Sequence, residues 1–286
     1  MAKKPILFSY FGYGSNTNLA SLRAKGVVPR MSERAVLRGW RLRFNVRHFF
    51  RHEGGVANIE PTEESPDAVW GVVHLCDHEH LALLDAAEAY GHGYDREEVL
   101  VKTDHGERRA VTYVGMPTFL DDSCRPTQRY LNILLKGAVA AGLDQSYIDA
   151  LRQHPVHQKR AVPTFAPPPG EYPTFTAATL AQSSRFTVLA GFVFDMSNAR
   201  LQHRFLRSLF GGKDMTLFHL RRLDDVAVAL TLDDIKCDRL TPAQWEYLNE
   251  YLHAYNAEYV YAGRYSEKPP SAGARGVNDQ SGIEPL

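Results

Sequence analysis

Hydrophobic and polar positions along the chain alternate between two periods, and the switches between them predict the elements. Ile6–Gly12 is an apolar, aromatic run that reads as a buried strand and stops at Gly12-Tyr13-Gly14-Ser15-Asn16. Gly, Ser and Asn tolerate sharp turns and left-handed dihedrals, and Asn18 is placed to cap a short helix ending at Gly26. After Gly39, Trp40, Leu42, Phe44 and Val46 alternate with Arg41, Arg43, Asn45 and Arg47, the period of two of a half-buried strand. Residues 48–55 (HFFRHEGG) break the pattern and predict a loop. Short strands follow at 55–61 and 68–75.

Leu81, Leu84 and Glu88 recur at helical spacing within 78–90, a helix expected to stop at Gly91. Two strands at 97–103 and 109–114 around Asp104-His105-Gly106 predict a hairpin. Pro126 opens one helix, and Ser146 is the expected cap of another. Strands flanked by helices and joined by hairpins predict an α+β fold with a mixed sheet closing into a barrel.

Residues 161–176 contain five prolines and no periodicity, and mark a stiff linker. Beyond it the pattern restarts as a strand (186–196), a helix (198–210), two strands (215–223 and 226–232), a helix opened by Thr241-Pro242 and a last strand (259–265). That βαββαβ order predicts a ferredoxin-like domain. The expected organisation is a domain at 1–160, the linker, a second domain at 177–265 and a disordered tail at 266–286.

Composition narrows the function classes. Thirty-three basic residues balance 33 acidic ones, so no bulk field draws the chain to nucleic acid or an anionic membrane. No apolar run reaches the roughly 18–20 residues that span a bilayer. The lysines and short apolar run at the N-terminus lack a small-residue cleavage site, and fit a strand better than a signal peptide. Three widely spaced cysteines without CxxC spacing point to a reducing cytoplasm rather than a disulfide or zinc framework.

Candidate chemistry concentrates in the first half. A core strand delivering Tyr13-Gly14-Ser15-Asn16 to a helix N-terminus is a cradle for an anionic or carbonyl group; an ordinary turn is the other reading. Glu88 shares a helical face with leucines among small alanines. A carboxyl buried there suits proton transfer, whereas exposure or pairing with an arginine such as Arg96 would make it structural. The histidine pairs lack the carboxylate partner of a metal motif, so no metal is expected. Ser15 lacks the G-x-S-x-G pattern of a nucleophile. In the second half, Arg204, Arg207, Arg221 and Arg222 read as a solvated basic face, and no RNP-type strand pattern is present.

Five stretches in order resemble the gamma-glutamylcyclotransferase superfamily: YFGYGSN (10–16), GWRLRFN (39–45), GGVANIEP (54–61), VWGVVHL (69–75) and LLDAAEAYGHGYDREEV (83–99). The resemblance covers about residues 7–140. It implies a small β-barrel with flanking helices, no metal or organic cofactor, and a small-molecule gamma-glutamyl substrate converted to 5-oxoproline and a free amine. It places Glu88 at the catalytic glutamate and Tyr13, Gly14, Ser15, Asn16 and Tyr94 in the substrate pocket. The 48–55 loop is expected to add aromatic and basic bulk beside that pocket. A non-catalytic ligand- or protein-binding member of the same fold is the alternative. The second domain lies outside the resemblance and could bind a partner, shape substrate access or mediate a homodimer.

Overall fold

The computed structural model describes residues 5–64, 67–223, 230–231, 234–235, 237 and 239–266. Its first layer is a closed barrel of strands β1 (Leu7–Gly12), β2 (Met31–Arg38), β5 (Ala68–Asp77), β6 (Tyr94–Thr103) and β7 (Gly106–Gly115) in the order β1-β5-β2-β6-β7. Strand β1 is antiparallel to β5, with Phe11 opposite Val73, and closes the barrel through a parallel contact of Tyr10 with Val111. Both faces of β1 are buried. Phe11 enters the cluster that holds Val73, Val101 and Leu134, while Tyr10 enters a second cluster with Leu22, Cys76 and Leu84. Burial on both faces is why this strand is a continuous apolar run rather than an alternating one.

Strands β3 (Trp40–Arg47) and β4 (Gly55–Pro61) form a separate two-stranded ribbon, with a register shift between Arg43 and Val46. Helices α1 (Leu19–Ala24) and α2 (His80–Glu88) lie in the barrel layer, followed by α3 (Gln128–Ala140) and α4 (Gln145–Arg152). Helix α3 starts at Thr127, whose side chain accepts from the Tyr130 amide at 3.2 Å. It packs against the loop after β1 through Gly137, where a Cβ would meet Thr17 and Asn18 at about 2.5 Å. Asp144, not Ser146, caps α4: its carboxylate accepts the Tyr147 amide at 3.1 Å, and the Ser146 hydroxyl donates to the same oxygen.

The C-terminal layer departs from the expected ferredoxin-like order. Its sheet runs β8 (Thr174–Phe175), β11 (Val260–Tyr265), β10 (Phe192–Asp195), β9 (Phe186–Leu189), with helices α5 (Ala177–Ala181), α6 (Leu201–Phe210), α7 (Thr216–Leu220) and α8 (Pro242–Glu258). The expected strand at 186–196 is a hairpin. It turns at Ala190 and Gly191, both with positive φ (47° and 80°), the backbone of a primed two-residue turn. The expected strand at 215–223 contains helix α7 instead. Met215, Thr216, His219 and Leu220 are all buried, a spacing of one, three and four that only a helix satisfies. The strand expected at 226–232 falls, apart from Leu230 and Thr231, outside the described residues, as does the tail beyond Ser266.

The two layers are joined by the 48–54 segment. Phe50 leaves the barrel layer and inserts into the C-terminal core, stacked on Tyr255 with ring centroids 5.1 Å apart. Glu53, only 3% exposed, follows it. Its carboxylate accepts from Arg129 of α3 and from the hydroxyls of Tyr251 (2.7 Å) and Tyr247 (3.3 Å) of α8. The proline-rich stretch runs along α8, where Asn249 accepts the Phe165 amide at 2.7 Å and donates to the Pro163 carbonyl at 2.9 Å.

Burial pushes the Glu53 carboxyl upward, but Arg129, His48 and His52 outweigh it and hold the group well below the ordinary value of 4.5. The stabilisation is therefore complete above about pH 4.5 and erodes as the pH falls below it. Removing one partner leaves a buried charge uncompensated. Arg129→Met is expected to destabilise the fold by about 3–5 kcal/mol, and adding Glu53→Gln to recover much of that loss. Urea unfolding of the single and double variants at pH 7 measures both; equal stability of Arg129→Met and wild type would contradict the assignment.

Candidate functional site

The loop between β1 and α1 is the floor of the site. Gly14 O accepts from the Thr17 amide (3.0 Å) and hydroxyl (2.9 Å), which closes a single 3₁₀ turn over Ser15–Thr17. Asn18 then caps α1 by accepting the Ala20 amide at 2.9 Å, while its own amide donates to Ile133 O of α3 at 3.2 Å. Gly14 is required by close approach: a Cβ there would meet the Tyr130 hydroxyl at 2.9 Å.

Asn16 is the hub. Its side chain, 4% exposed as part of the whole residue, donates to Glu88 Oε1 at 2.9 Å and to Tyr10 Oη at 2.6 Å. Its Oδ1 accepts from Lys25 Nζ at 2.6 Å, and its backbone carbonyl accepts from His74 Nε2 at 2.9 Å. The carbonyl requires a proton on Nε2, so the neutral ring presents Nδ1 to the Ser32 hydroxyl at 2.8 Å. Burial lowers the His74 pKa to about 4, the hydrogen bond to Asn16 opposing it in part.

Glu88 is the last residue of α2. The helix ends there rather than at Gly91, because Ala89 takes the left-handed conformation (φ 52°, ψ 50°). A carboxylate at a helix C-terminus faces the negative end of the dipole. Lys25, at the end of α1, offsets it with an ion pair at 3.2 Å; the two side chains are 15% and 17% exposed. Lys25 Nζ also lies 3.4 Å from Ser15 Oγ. Glu88 is therefore neither unpartnered nor held by Arg96, which reaches Asp85 at 3.6 Å. The partner had no signal in the pattern, since Lys25 sits on a short helix distant in sequence.

Five tyrosines complete the walls. Tyr13 Oη donates to Tyr113 O, Tyr94 Oη to Ala57 O at 2.7 Å, and Tyr113 Oη to Asp85 Oδ1 at 2.7 Å. Burial first, with the Glu88 charge adding to it, raises the phenols of Tyr10 and Tyr13 well above their ordinary value; burial and the neighbouring tyrosines do the same for Tyr94. All three therefore stay protonated donors at neutral pH. Tyr130, pushed up to about 12 by burial, accepts the Ala57 amide at 3.1 Å. Tyr13 and Tyr94 stand where the sequence pointed; Tyr10, Tyr113 and Tyr130 were missed because, as buried aromatics, they match core spacing equally well.

These residues enclose a niche of about 30 Å³ bounded by Tyr13, Gly14, Ser15, Asn16, Glu88 and Tyr94 among others. A groove of about 630 Å³ opens beside it and shares Ser15, Glu88, Tyr94 and Tyr130. The groove's far wall includes His48 and Phe49 of the joining segment and Arg222, Leu223 and Leu230 of the C-terminal layer. Among the described residues no group of three or more His, Cys, Asp or Glu is placed to hold a metal. Nor is any helix among them long and apolar enough to cross a membrane.

The AIG2-like family matches residues 68–151. A gamma-glutamylcyclotransferase of Bos taurus is 31% identical over 145 residues, which is 49% of this chain and 74% of that protein. One of Mus musculus is 29% identical over 150 residues, 51% and 77% of the two chains. A solved gamma-glutamyl cyclotransferase structure covers 55% of this chain and 93% of its own, at 26% identity and a TM-score of 0.49.

His74 reads out the integrity of the loop. A buried ring that binds fewer protons than its unfolded counterpart contributes fully above about pH 6.5, and the contribution declines as the pH falls toward about 4. Imidazole NMR is expected to show His74 neutral, with the proton on Nε2, from pH 8 down to about pH 5. A midpoint near 6.5 would contradict the buried hydrogen-bonded ring.

Proposed function

Since the chain belongs to the gamma-glutamylcyclotransferase superfamily, we propose that it converts a gamma-glutamyl amide or amine to 5-oxoproline and a free amine, with Glu88 as general acid and base. The observation that carries this reading is the Glu88 carboxylate standing at the wall of a tyrosine-lined niche, oriented through one oxygen. Asn16 and Lys25 both bind Oε1, which leaves Oε2 for the substrate nitrogen.

The reaction balances within one substrate. The α-amino nitrogen attacks the γ-carbonyl carbon, a five-membered closure favoured because both groups belong to one molecule. As the new C–N bond forms, Glu88 takes a proton from the attacking nitrogen. It then delivers that proton to the departing nitrogen as the old C–N bond breaks. The oxygen that gains negative charge in between needs donors aimed at it. The phenols of Tyr10 and Tyr130, which accept in the bonds described and keep their own protons, and the backbone at Gly14, Ser15 and Asn16 are the groups at hand, and the same loop holds the glutamyl moiety. Tyr13 and Tyr94 line it. Lys25 is a positioning residue: it fixes the Glu88 rotamer and neutralises the charge at the end of α2.

Glu88→Gln keeps the shape and the contact to Asn16 but cannot shuttle a proton. It is expected to lower 5-oxoproline release from a panel of gamma-glutamyl amino acids and amines by about 10²–10⁴-fold, with circular dichroism and thermal unfolding near those of wild type. Release undiminished in the folded variant would remove Glu88 from the chemistry. No release from any panel member by wild type would favour a ligand-binding protein on the same fold.

A further inference from the structure

The groove beside the niche is strongly one-sided in charge. Arg23, Lys25, Arg47, Arg129, Arg221 and Arg222 line it, against Glu88 as the one carboxylate among the described lining residues. Three of the six cations have a carboxylate within reach: Lys25 is committed to Glu88, Arg129 to Glu53, and Arg47 lies 3.9 Å from Asp121. Arg221 and Arg222 meet no carboxylate among the described residues, although Arg222 is held firmly. Its guanidinium carbon lies 3.4 Å from the centroid of the Phe218 ring, and its Nη1 donates to Phe218 O at 3.0 Å. Arg129 buttresses it by donating to the Arg222 carbonyl at 2.6 Å, and Arg129 Nε is itself buried without a hydrogen-bond partner. Burial lowers the Arg222 pKa and Arg129 adds to this, with Glu88 acting in the opposite sense. An immobilised, partly desolvated guanidinium facing a cavity is a receptor for an anionic oxygen.

Resting on the cyclotransferase reading above, we propose that the C-terminal layer supplies the leaving-group side of the site, where Arg221 and Arg222 select gamma-glutamyl conjugates whose departing amine carries two or more negative charges. By that reading the glutamyl part is bound at the niche and its mouth, and the adjoining groove, which shares Ser15, Glu88, Tyr94 and Tyr130 with it, is left for the departing amine, within reach of Glu88. Carboxylate and phosphate oxygens present the same chemistry to a guanidinium, so the class is an amine bearing two carboxylates or a phosphate. The arginine pair read from the sequence as a solvated face is thereby a specificity element. It lies in the part of the chain where the family resemblance does not reach.

The test compares kcat/KM for 5-oxoproline release from gamma-glutamyl-methylamide, gamma-glutamyl-alanine, gamma-glutamyl-glutamate and gamma-glutamyl-O-phosphoserine. Wild type is expected to prefer the last two over the methylamide by about 10- to 100-fold, the size of one or two charge-assisted hydrogen bonds. The Arg221→Gln/Arg222→Gln variant should compress that ratio by about 10-fold or more, whereas Arg221→Lys/Arg222→Lys should keep most of it. The better of the glutamate and phosphoserine conjugates identifies the anionic group. A wild-type ratio near one, or a ratio untouched by the Gln pair, overturns the proposal. If no conjugate turns over, the cyclotransferase reading is what fails. Calorimetric titration of glutamate and O-phosphoserine into the full chain then decides the subsite: binding by wild type lost in the Gln pair sustains it, and no binding by wild type ends it.

Discussion

The ion pair between Glu53 and Arg129 is the constraint on which the arrangement of this molecule turns. A carboxylate at 3% exposure cannot remain ionised without partners. Its partners come from two places beyond the joining segment that carries it: Arg129 of helix α3 in the barrel layer, and Tyr247 and Tyr251 of α8. Satisfying one charge therefore fixes the distance between two layers. Phe50, three residues before, adds the apolar part by filling the C-terminal core. A pair of this kind is weak as a source of net stability, but it punishes any rearrangement that would separate its members. It fixes register.

That register has a consequence for the site. Arg129 lies one residue before Tyr130, whose hydroxyl meets the amide of Ala57 at 3.1 Å and crowds Gly14. The helix that anchors the C-terminal layer is thus the helix that shapes the Gly14–Asn16 loop. On the other side, Asn16 ties the loop to Glu88, Tyr10 and Lys25 and, through its carbonyl, to His74 of β5. The loop is clamped from below by the barrel and from above by α3. Hydrogen bonds on both sides leave the loop little freedom.

Much of the first layer was legible because its elements obey one period each. Four of the five barrel strands, the β6–β7 hairpin and the Asn18 cap follow from apolar runs, turn residues and capping chemistry, whereas β2 was not read, because Met31-Ser32-Glu33-Arg34 carries no alternating apolar pattern. Glu88 stood out because an acid interrupts an apolar face. What else was not legible depends on contacts distant in sequence. Lys25 reaches Glu88 across 63 positions, and three of the five niche tyrosines are indistinguishable from core residues until their hydroxyls are seen to converge. In the C-terminal layer the failures are local. Ala190-Gly191 lacks the Asn-Gly or Asp-Gly signature of a hairpin, so the turn is set by pairing rather than by preference. Met215–Leu223 carries apolar residues at spacings compatible with either period, and only burial of consecutive Met215 and Thr216 selects the helix.

The joining segment shows why a loop can be the least predictable and most consequential part of a chain. Read alone, HFFRHEGG is an irregular stretch rich in aromatic and charged residues, and its bulk is expected beside the pocket, where His48 and Phe49 line the groove. In the fold its members divide by chemistry: Phe49 remains at the groove between Phe119 (centroids 5.4 Å apart) and Phe205 (6.2 Å), Phe50 is buried, and Glu53 turns inward to Arg129. Its backbone is used as well, since the Phe49 carbonyl accepts from Arg200 and His203, both at 2.6 Å. The segment therefore does not narrow the barrel's own niche. It recruits a second layer to stand beside it, converting an open rim into a groove walled on both sides, with His48 and Phe49 on the segment's side and Arg222, Leu223 and Leu230 on the other.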